Sequence, residues 1–289
     1  MSTNTPLESV AGLTVLVTGA AQGMGAIFAR KACLDGARRV ILWDISSQML
    51  STFANELEQL NSASIIETET VDLRDQAAII AAADQTLAAG SVDVLVNNAG
   101  VVTGASFANH RAAQISDIMA VNALAPMHLT HALLGQMGQD GRPARILTIA
   151  SAAALVSNPN MSVYAASKAA AMSWSDSLRL ELERDTESDI KVTTFCPTYV
   201  STGMFAGAKS MLLTPIMDPE YVAAKAWTAM LRGTPLVLLP WTSKFGQLLR
   251  GVLPRGAWDL VADKVLKIYS SMDDFTGRKR ETPTNEPVS

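Results

Sequence analysis

The chain has 289 residues, 48% of them hydrophobic, and a formal net charge of -4. That is enough apolar material for one large core, and mild acidity without a basic cluster excludes a nucleic-acid partner. The two cysteines, Cys33 and Cys196, stand far apart, which excludes a disulfide framework and fits a reducing, cytoplasmic setting.

The first twelve residues hold neither a basic start nor an apolar run, so no secretory signal is expected. LTVLVT at 13–18 has the pattern of a buried strand, and 23–36 reads as a helix ending at Gly36. RRVILW (38–43) is the second strand, 46–60 a helix, SIIETETVD (64–72) the third strand and 75–89 an Ala-rich helix. VDVLVN (92–97) is the fourth strand, 111–137 a long helix, ARILTIA (144–150) the fifth strand and 162–185 a helix. IKVTTFC (190–196) is the sixth strand, Asp218 with Pro219 opens another helix as N-cap and first residue, and PLVLLP (235–240) is the seventh strand. This alternation specifies a doubly wound parallel sheet with helices on both faces. The strands read as apolar throughout, as burial on both faces requires. One domain is expected over 1–272, with a helical extension at 241–272 and a polar, disordered tail at 273–289. No run reaches the ~18 apolar residues of a membrane span.

The first strand runs directly into Thr18-Gly19-Ala20-Ala21-Gln22-Gly23-Met24-Gly25 and then a helix. Glycines there permit a tight turn and close approach to a pyrophosphate, which a helix N-terminus attracts. Asp44 ends the second strand, 19 residues past Gly25. A carboxylate at that point accepts hydrogen bonds from ribose hydroxyls and repels a 2′-phosphate. No Arg or Lys follows it directly, so NAD is preferred over NADP. The bland alternative for Asp44 is a helix cap, since Ile45-Ser46-Ser47 follow.

Tyr164 and Lys168 are four residues apart at the start of a helix, which puts phenol and ammonium on one face. A neighbouring cation lowers a phenol's pKa and makes it usable in acid–base chemistry. Spacing alone is weak evidence, because Tyr221 and Lys225 repeat it. His128 and His131 share a helix face without nearby carboxylates or thiols, so no metal is expected.

Taken together, these motifs resemble the short-chain dehydrogenase/reductase family over about residues 10–240. TGAAQGMG matches its cofactor loop, with Met24 where Ile is usual. VDLRD brings Asp72 and Leu73 to the adenine position. Asn97-Asn98-Ala99-Gly100 matches the segment after strand four, and Pro197-Thr198-Tyr199-Val200-Ser201-Thr202 the loop after strand six, with Thr198 in place of the usual Gly. The resemblance implies a single-domain Rossmann fold of seven strands. It also implies cofactor contacts at Gly19, Gln22, Gly23, Met24, Gly25, Asp44, Ile45, Asp72, Leu73, Asn98, Ala99, Gly100, Pro197, Val200 and Thr202, besides Tyr164 and Lys168. Asn122, Ser151, Tyr164 and Lys168 take the catalytic positions. Tyr164 would be general acid/base, its pKa lowered by Lys168, the nicotinamide cation and a helix N-terminus. Lys168 would also hold ribose hydroxyls, Ser151 would orient the substrate oxygen, and Asn122 would anchor a proton-relay water. Ser157 and Ser162 compete for the serine role but sit too near Tyr164 in sequence. Tyr221 has Ala208, not Ser, thirteen residues before it, and reads as a packing residue.

The segment after strand six is apolar, with Met204, Phe205, Met211, Leu212, Leu213 and Met217. With Ala153 and Leu155 it is expected to enclose a lipophilic, cyclic or aromatic secondary alcohol or its ketone. Residues 241–272 resemble the C-terminal part of the retinol and 17β-hydroxysteroid dehydrogenase branch, and would cover the pocket, a subunit interface or a membrane surface. The family implies a homodimer or homotetramer through 111–137 and 162–185. Two other readings stay open: a non-catalytic nucleotide-binding or regulatory protein on the same fold, and an NAD-dependent epimerase or dehydratase.

Overall fold

The computed structural model describes residues 6–277 apart from 62, 186–188 and 213. The elements run β1 (Thr14–Thr18), α1 (Gly23–Leu34), β2 (Arg39–Asp44), α2 (Ser47–Leu60), β3 (Ile65–Thr70), α3 (Gln76–Ala88), β4 (Val94–Asn97), α4 (Ala112–Met119), α5 (Ala125–Leu134), β5 (Ala144–Ile149), α6 (Ser162–Arg184), β6 (Ile190–Pro197), α7 (Pro219–Leu231), β7 (Leu236–Leu239), α8 (Thr242–Val252) and α9 (Arg255–Leu260). The seven strands pair in parallel in the order β3-β2-β1-β4-β5-β6-β7. Alternate strand residues serve opposite layers. Val15, Val17, Val40, Leu42 and Val96 pack with Phe28 of α1, Phe53 of α2 and Trp227 of α7. Leu16, Ile41, Leu95 and Ile146 pack with Ile79 of α3, Leu129 of α5 and Leu178 of α6. Because both faces are covered, the central strands tolerate no polar alternation.

The edge strand β3 departs from that expectation. Its sequence IIETET is polar and partly solvated, and Ile65 is 59% exposed. An edge strand covered on one side only needs no continuous apolar run. Glu67 instead takes a forked pair from Arg39 across the β2–β3 ladder, with Nε and Nη2 each 2.6 Å from a carboxylate oxygen. The long helix expected at 111–137 is also divided. A π-helical turn, Ala120–Leu124, separates α4 from α5. Pro126 has no N–H to return to the carbonyl of Asn122 four residues before it, so the ladder cannot run through unbroken.

The chain reverses direction across the sheet between β1 and β4, the point where open α/β sheets bind ligands. The loops after β1, β2, β4, β5 and β6 therefore gather at one edge. The last described residues lie there too, which moves the expected tail boundary. Residues 273–277 are not free: Thr276 and Gly277 donate backbone hydrogen bonds to Ala206 O at 3.0 and 3.1 Å, and Phe275 packs against the cluster of Met161, Tyr164, Tyr199 and Met272. Residues 278–289 of the expected tail lie outside the described residues. No helix among the described residues is long and apolar enough to cross a membrane.

Candidate active site

The glycine loop is pinned from three sides. Ala20 N donates to Trp43 O at 3.1 Å, and Ala21 N to Asp44 Oδ2 at 3.1 Å. Asn98 donates its side-chain amide to Thr18 O and Gly19 O at 2.9 and 3.3 Å, while Thr18 Oγ1 accepts from Asn98 N and Ala99 N. Gly19 adopts φ +62°, the left-handed region that favours glycine. A Cβ on Gly25 would stand 2.0 Å from Gly19 O, so α1 presses directly on the loop. α1 opens at Gly23 with Gln22 as an uncapped N-cap and no acidic residue in its first turn. Its leading N–H groups are thus unclaimed by side chains and form an anion site. Asp44 does not cap α2; Ser46 does, accepting from Met49 N. The Asp44 carboxylate, buried at the end of β2, holds Ala21 N and Ser46 N. Asp72 is committed to Arg74, whose hydrogen bonds hold its carboxyl below the usual range. These residues fit a dinucleotide: a cradle that Cβ atoms would fill, an open helix N-terminus and an acid at the ribose position.

The four residues expected to be catalytic come together at the other half of this edge. Tyr164 and Lys168 are both buried, at 4% exposure each. The repeated pair is a surface feature, with Tyr221 50% exposed and Lys225 over its ring, and so not the packing residue expected of Tyr221. Ser151, buried at the end of β5, hydrogen-bonds Tyr164 through its side chain, whereas Ser157 and Ser162 are exposed. Asn122 sits in the π turn and is fully engaged. It donates to Val101 O at 2.9 Å and Ser167 Oγ at 3.0 Å, and accepts from Val101 N at 2.8 Å. Asn122 Oδ1 and Lys168 Nζ both lie 3.4 Å from where a Gly100 Cβ would be, so the post-β4 turn, the π turn and α6 meet at one point.

The electrostatics correct one expectation. Burial pushes the Tyr164 phenol above its ordinary value, with the Ser151 hydrogen bond opposing it. Lys168 does not lower it here; its ammonium donates to Ile149 O at 2.7 Å, and burial pushes its own pKa down to about 8. A buried phenol loses solvation when it ionises, and that outweighs a cation already hydrogen-bonded to a carbonyl. The Lys168 shift has a testable sign. Between pH 8 and its ordinary 10.5 the unfolded chain binds more protons, so stability rises with pH. Tyr164 acts in the opposite sense only above its ordinary 10.0. The melting temperature is expected to climb from pH 8 toward 9, where the buried Cys33 and Cys196 thiols, both pushed above their ordinary 9.0, begin to oppose it, and Lys168→Met to flatten that climb.

An apolar cavity of about 100 Å³ opens beside Ser151. Ala153, Leu155, Phe205 and Leu212 line it, as expected. Met217 does not: it is buried in the core layer of α1 and α7, drawn there by the backbone bonds between 199–201 and Met217. Met204 is half-buried outside the cavity lining, and Leu213 lies outside the described residues. Residues missed by sequence reasoning include Val156, Asn158, Met161 and Tyr199. Their signal was faint, because they belong to irregular loops without periodicity. The C-terminal extension supplies Phe245, Leu266 and Ile268, so it covers the pocket, one of the roles expected of it. Leu248, Val252 and Leu260 stay exposed.

Comparison with known proteins agrees with this geometry. A family model for short chain dehydrogenase matches residues 13–212. Epidermal retinol dehydrogenase 2 of Mus musculus is 32% identical over 280 residues, 96% of this chain and 89% of that protein. Estradiol 17-beta-dehydrogenase 11 of Homo sapiens is 33% identical over 248 residues, 86% of this chain and 81% of that protein. The crystal structure of a short chain dehydrogenase from Burkholderia cenocepacia in complex with NADP superposes with a TM-score of 0.72 at 25% identity, over 82% of this chain and 100% of that one. The match extends through the C-terminal extension for the mouse relative, in keeping with the branch resemblance read there. The chain belongs to the short-chain dehydrogenase/reductase family of oxidoreductases.

Proposed function

We propose that this protein interconverts a lipophilic secondary alcohol and its ketone by nicotinamide-dependent hydride transfer, with NAD preferred. The observation that carries the reading is Tyr164, buried beside Ser151 and edge-on to Phe205, two residues that line the apolar cavity. The nicotinamide, when bound, supplies the hydride acceptor or donor. The residues of the chain supply the rest. Ser151 hydrogen-bonds the substrate oxygen and orients it toward Tyr164. Tyr164 gives a proton to a ketone oxygen, or takes one from an alcohol. Burial that raises its pKa keeps the phenol protonated at neutral pH, which suits donation; oxidation demands the phenolate and is expected to quicken as pH rises. Asn122 ties the post-β4 turn to α6 and so fixes Lys168 relative to that turn.

Support for NAD comes from Asp44. Its buried carboxylate follows β2, and neither the glycine loop nor residues 45–47 offer a cation to a 2′-phosphate. Arg74 is drawn off to Asp72 and Asp117. Oxidation of cyclic, aromatic and alicyclic secondary alcohols, followed by reduced-nicotinamide absorbance, tests the reading. kcat/KM with NAD is expected to exceed that with NADP, and Asp44→Ala to shrink the ratio by on the order of tenfold. A wild-type preference for NADP would remove Asp44 from this role.

A further inference from the structure

α8 carries an apolar row that no other described residue covers. Trp241, just before the helix, and Phe245, Leu248 and Val252 within it follow one another at intervals of four, three and four residues. That spacing sets them on one helix face. They are 74%, 52%, 60% and 73% exposed. The helix is nevertheless seated on the body of the protein. Thr242, Ser243 and Gly246 line the cavity beside Ser151, so one side of α8 turns inward while the row stays outside. Phe245 belongs to both, lining the cavity while half exposed. Leu212, in the segment after β6, also lines the cavity and is exposed. The row is therefore continuous with the rim of the cavity.

The charge around it has one sign. Residues 241–268 hold five Lys and Arg against two Asp, a balance of +3, in a chain whose net charge is -4. Both acids are already engaged: Asp263 pairs with Lys264 at 2.7 Å, and Asp259 accepts from Tyr269 OH at 2.6 Å. Lys244, Arg250, Arg255 and Lys267 are exposed and have no carboxylate partner among the described residues. Lys244 lies one turn before Leu248, at the border of the row. Exposed apolar side chains flanked by free cations suit a helix that lies in a lipid interface, with Lys and Arg at anionic headgroups. Trp241 suits the same boundary, since indole joins an apolar body to a polar N–H. Other occupants fit less well. In a two-fold pair of copies the same cations would face one another. Residues 278–289 hold a single aliphatic side chain, Val288, too little apolar surface to cover the row.

We propose that α8 and the residues just after it dock this protein on the surface of an anionic lipid bilayer, with Trp241, Leu248 and Val252 entering the boundary between headgroups and acyl chains and the cavity rim set against the lipid. Docking of this kind needs neither Tyr164 nor a nucleotide, so it stands apart from the dehydrogenase reading.

Co-sedimentation of the full chain with vesicles of phosphatidylcholine, alone or with one quarter phosphatidylserine, tests it. The protein is expected to partition onto the anionic vesicles, and omitting phosphatidylserine or raising the salt to weaken binding by on the order of tenfold. Leu248→Glu combined with Val252→Glu is expected to weaken it by on the order of a hundredfold. The melting temperature of that variant is expected to hold, because both side chains are exposed and neither lines the cavity. Lys244→Glu is expected to lower binding to the anionic vesicles by about fivefold or more and to leave binding to phosphatidylcholine alone unchanged. Absence of binding to either vesicle overturns the proposal, as does full binding by a folded Leu248→Glu, Val252→Glu variant. Equal binding to both vesicles overturns the role given to the cations. Sedimentation velocity without lipid separates the rival occupant: a wild-type dimer that the double variant converts to monomer assigns the row to a second copy and overturns docking on lipid. The lipid and salt series use the wild-type protein, so a variant that fails to fold does not blunt the test.

Discussion

Tyr164→Phe is expected to lower turnover by at least about a thousandfold while leaving nucleotide affinity within a few-fold of wild type. The two effects separate because the geometry separates them. Phenylalanine keeps the ring and its edge contact with Phe205, so the wall of the cavity stays packed. What disappears is the hydroxyl that meets Ser151. The nucleotide cradle is held by Asp44, Asn98 and Thr18 at the other half of the site, and none of these touches the phenol. The same substitution has a second signature. Wild-type oxidation is expected to rise with pH, since the raised pKa of Tyr164 keeps the phenolate scarce at neutrality. Any residual oxidation in the variant is expected to lose that dependence. Single-turnover rates across pH, with nucleotide binding measured by calorimetry, check both. A variant that keeps the wild-type rate would remove Tyr164 from the chemistry.

The sequence made some of this legible because certain chemistry needs a residue type at a set distance along the chain. The glycine turn, Asp44, the Asn-Asn-Ala-Gly turn, Ser151 and the Tyr164–Lys168 pair each follow a strand whose apolar run marks its end. Parallel pairing then brings those ends together without further information. The parts that were not legible depend on contacts between distant segments. The direction of the Tyr164 shift is one: spacing puts Lys168 one turn away, but burial by Tyr199, Phe205 and the arm at 271–275 decides the sign. Met217 is another. It belongs to an apolar lid by composition, yet the Val200–Met217 bridge turns it into the core. Asn158 gave no signal at all, because its place at the cavity is set by hydrogen bonds to Tyr199 and Ser271, 41 and 113 residues further along the chain. The polar end of the chain read as free tail, but Phe275 packs on the Tyr199 cluster, Asp274 pairs with Lys209, and residues 276 and 277 bond to Ala206 O.

Gly25→Ala tests the cradle as sharply as Tyr164→Phe tests the chemistry. The new Cβ would stand 2.0 Å from Gly19 O and 2.7 Å from Asn98 Nδ2. Neither neighbour is a flexible side-chain end that could swing aside, since Asn98 Nδ2 is already bonded to Thr18 O and Gly19 O. α1 must therefore back away from β1. Overpacking of this kind costs about 1–3 kcal/mol, and the shift opens the turn whose backbone would meet a pyrophosphate. Nucleotide affinity is expected to fall by on the order of a hundredfold, with a drop of several degrees in melting temperature. Gly135→Ala is the matched control. It lies at the end of α5 with φ -65° and nothing within 4 Å of a new Cβ. There the methyl only restricts the unfolded chain, so stability is expected to hold or rise by about 0.4–1 kcal/mol with nucleotide binding unchanged. Equal nucleotide affinity in the two variants would mean that close packing of α1 on the glycine turn does not shape the binding site.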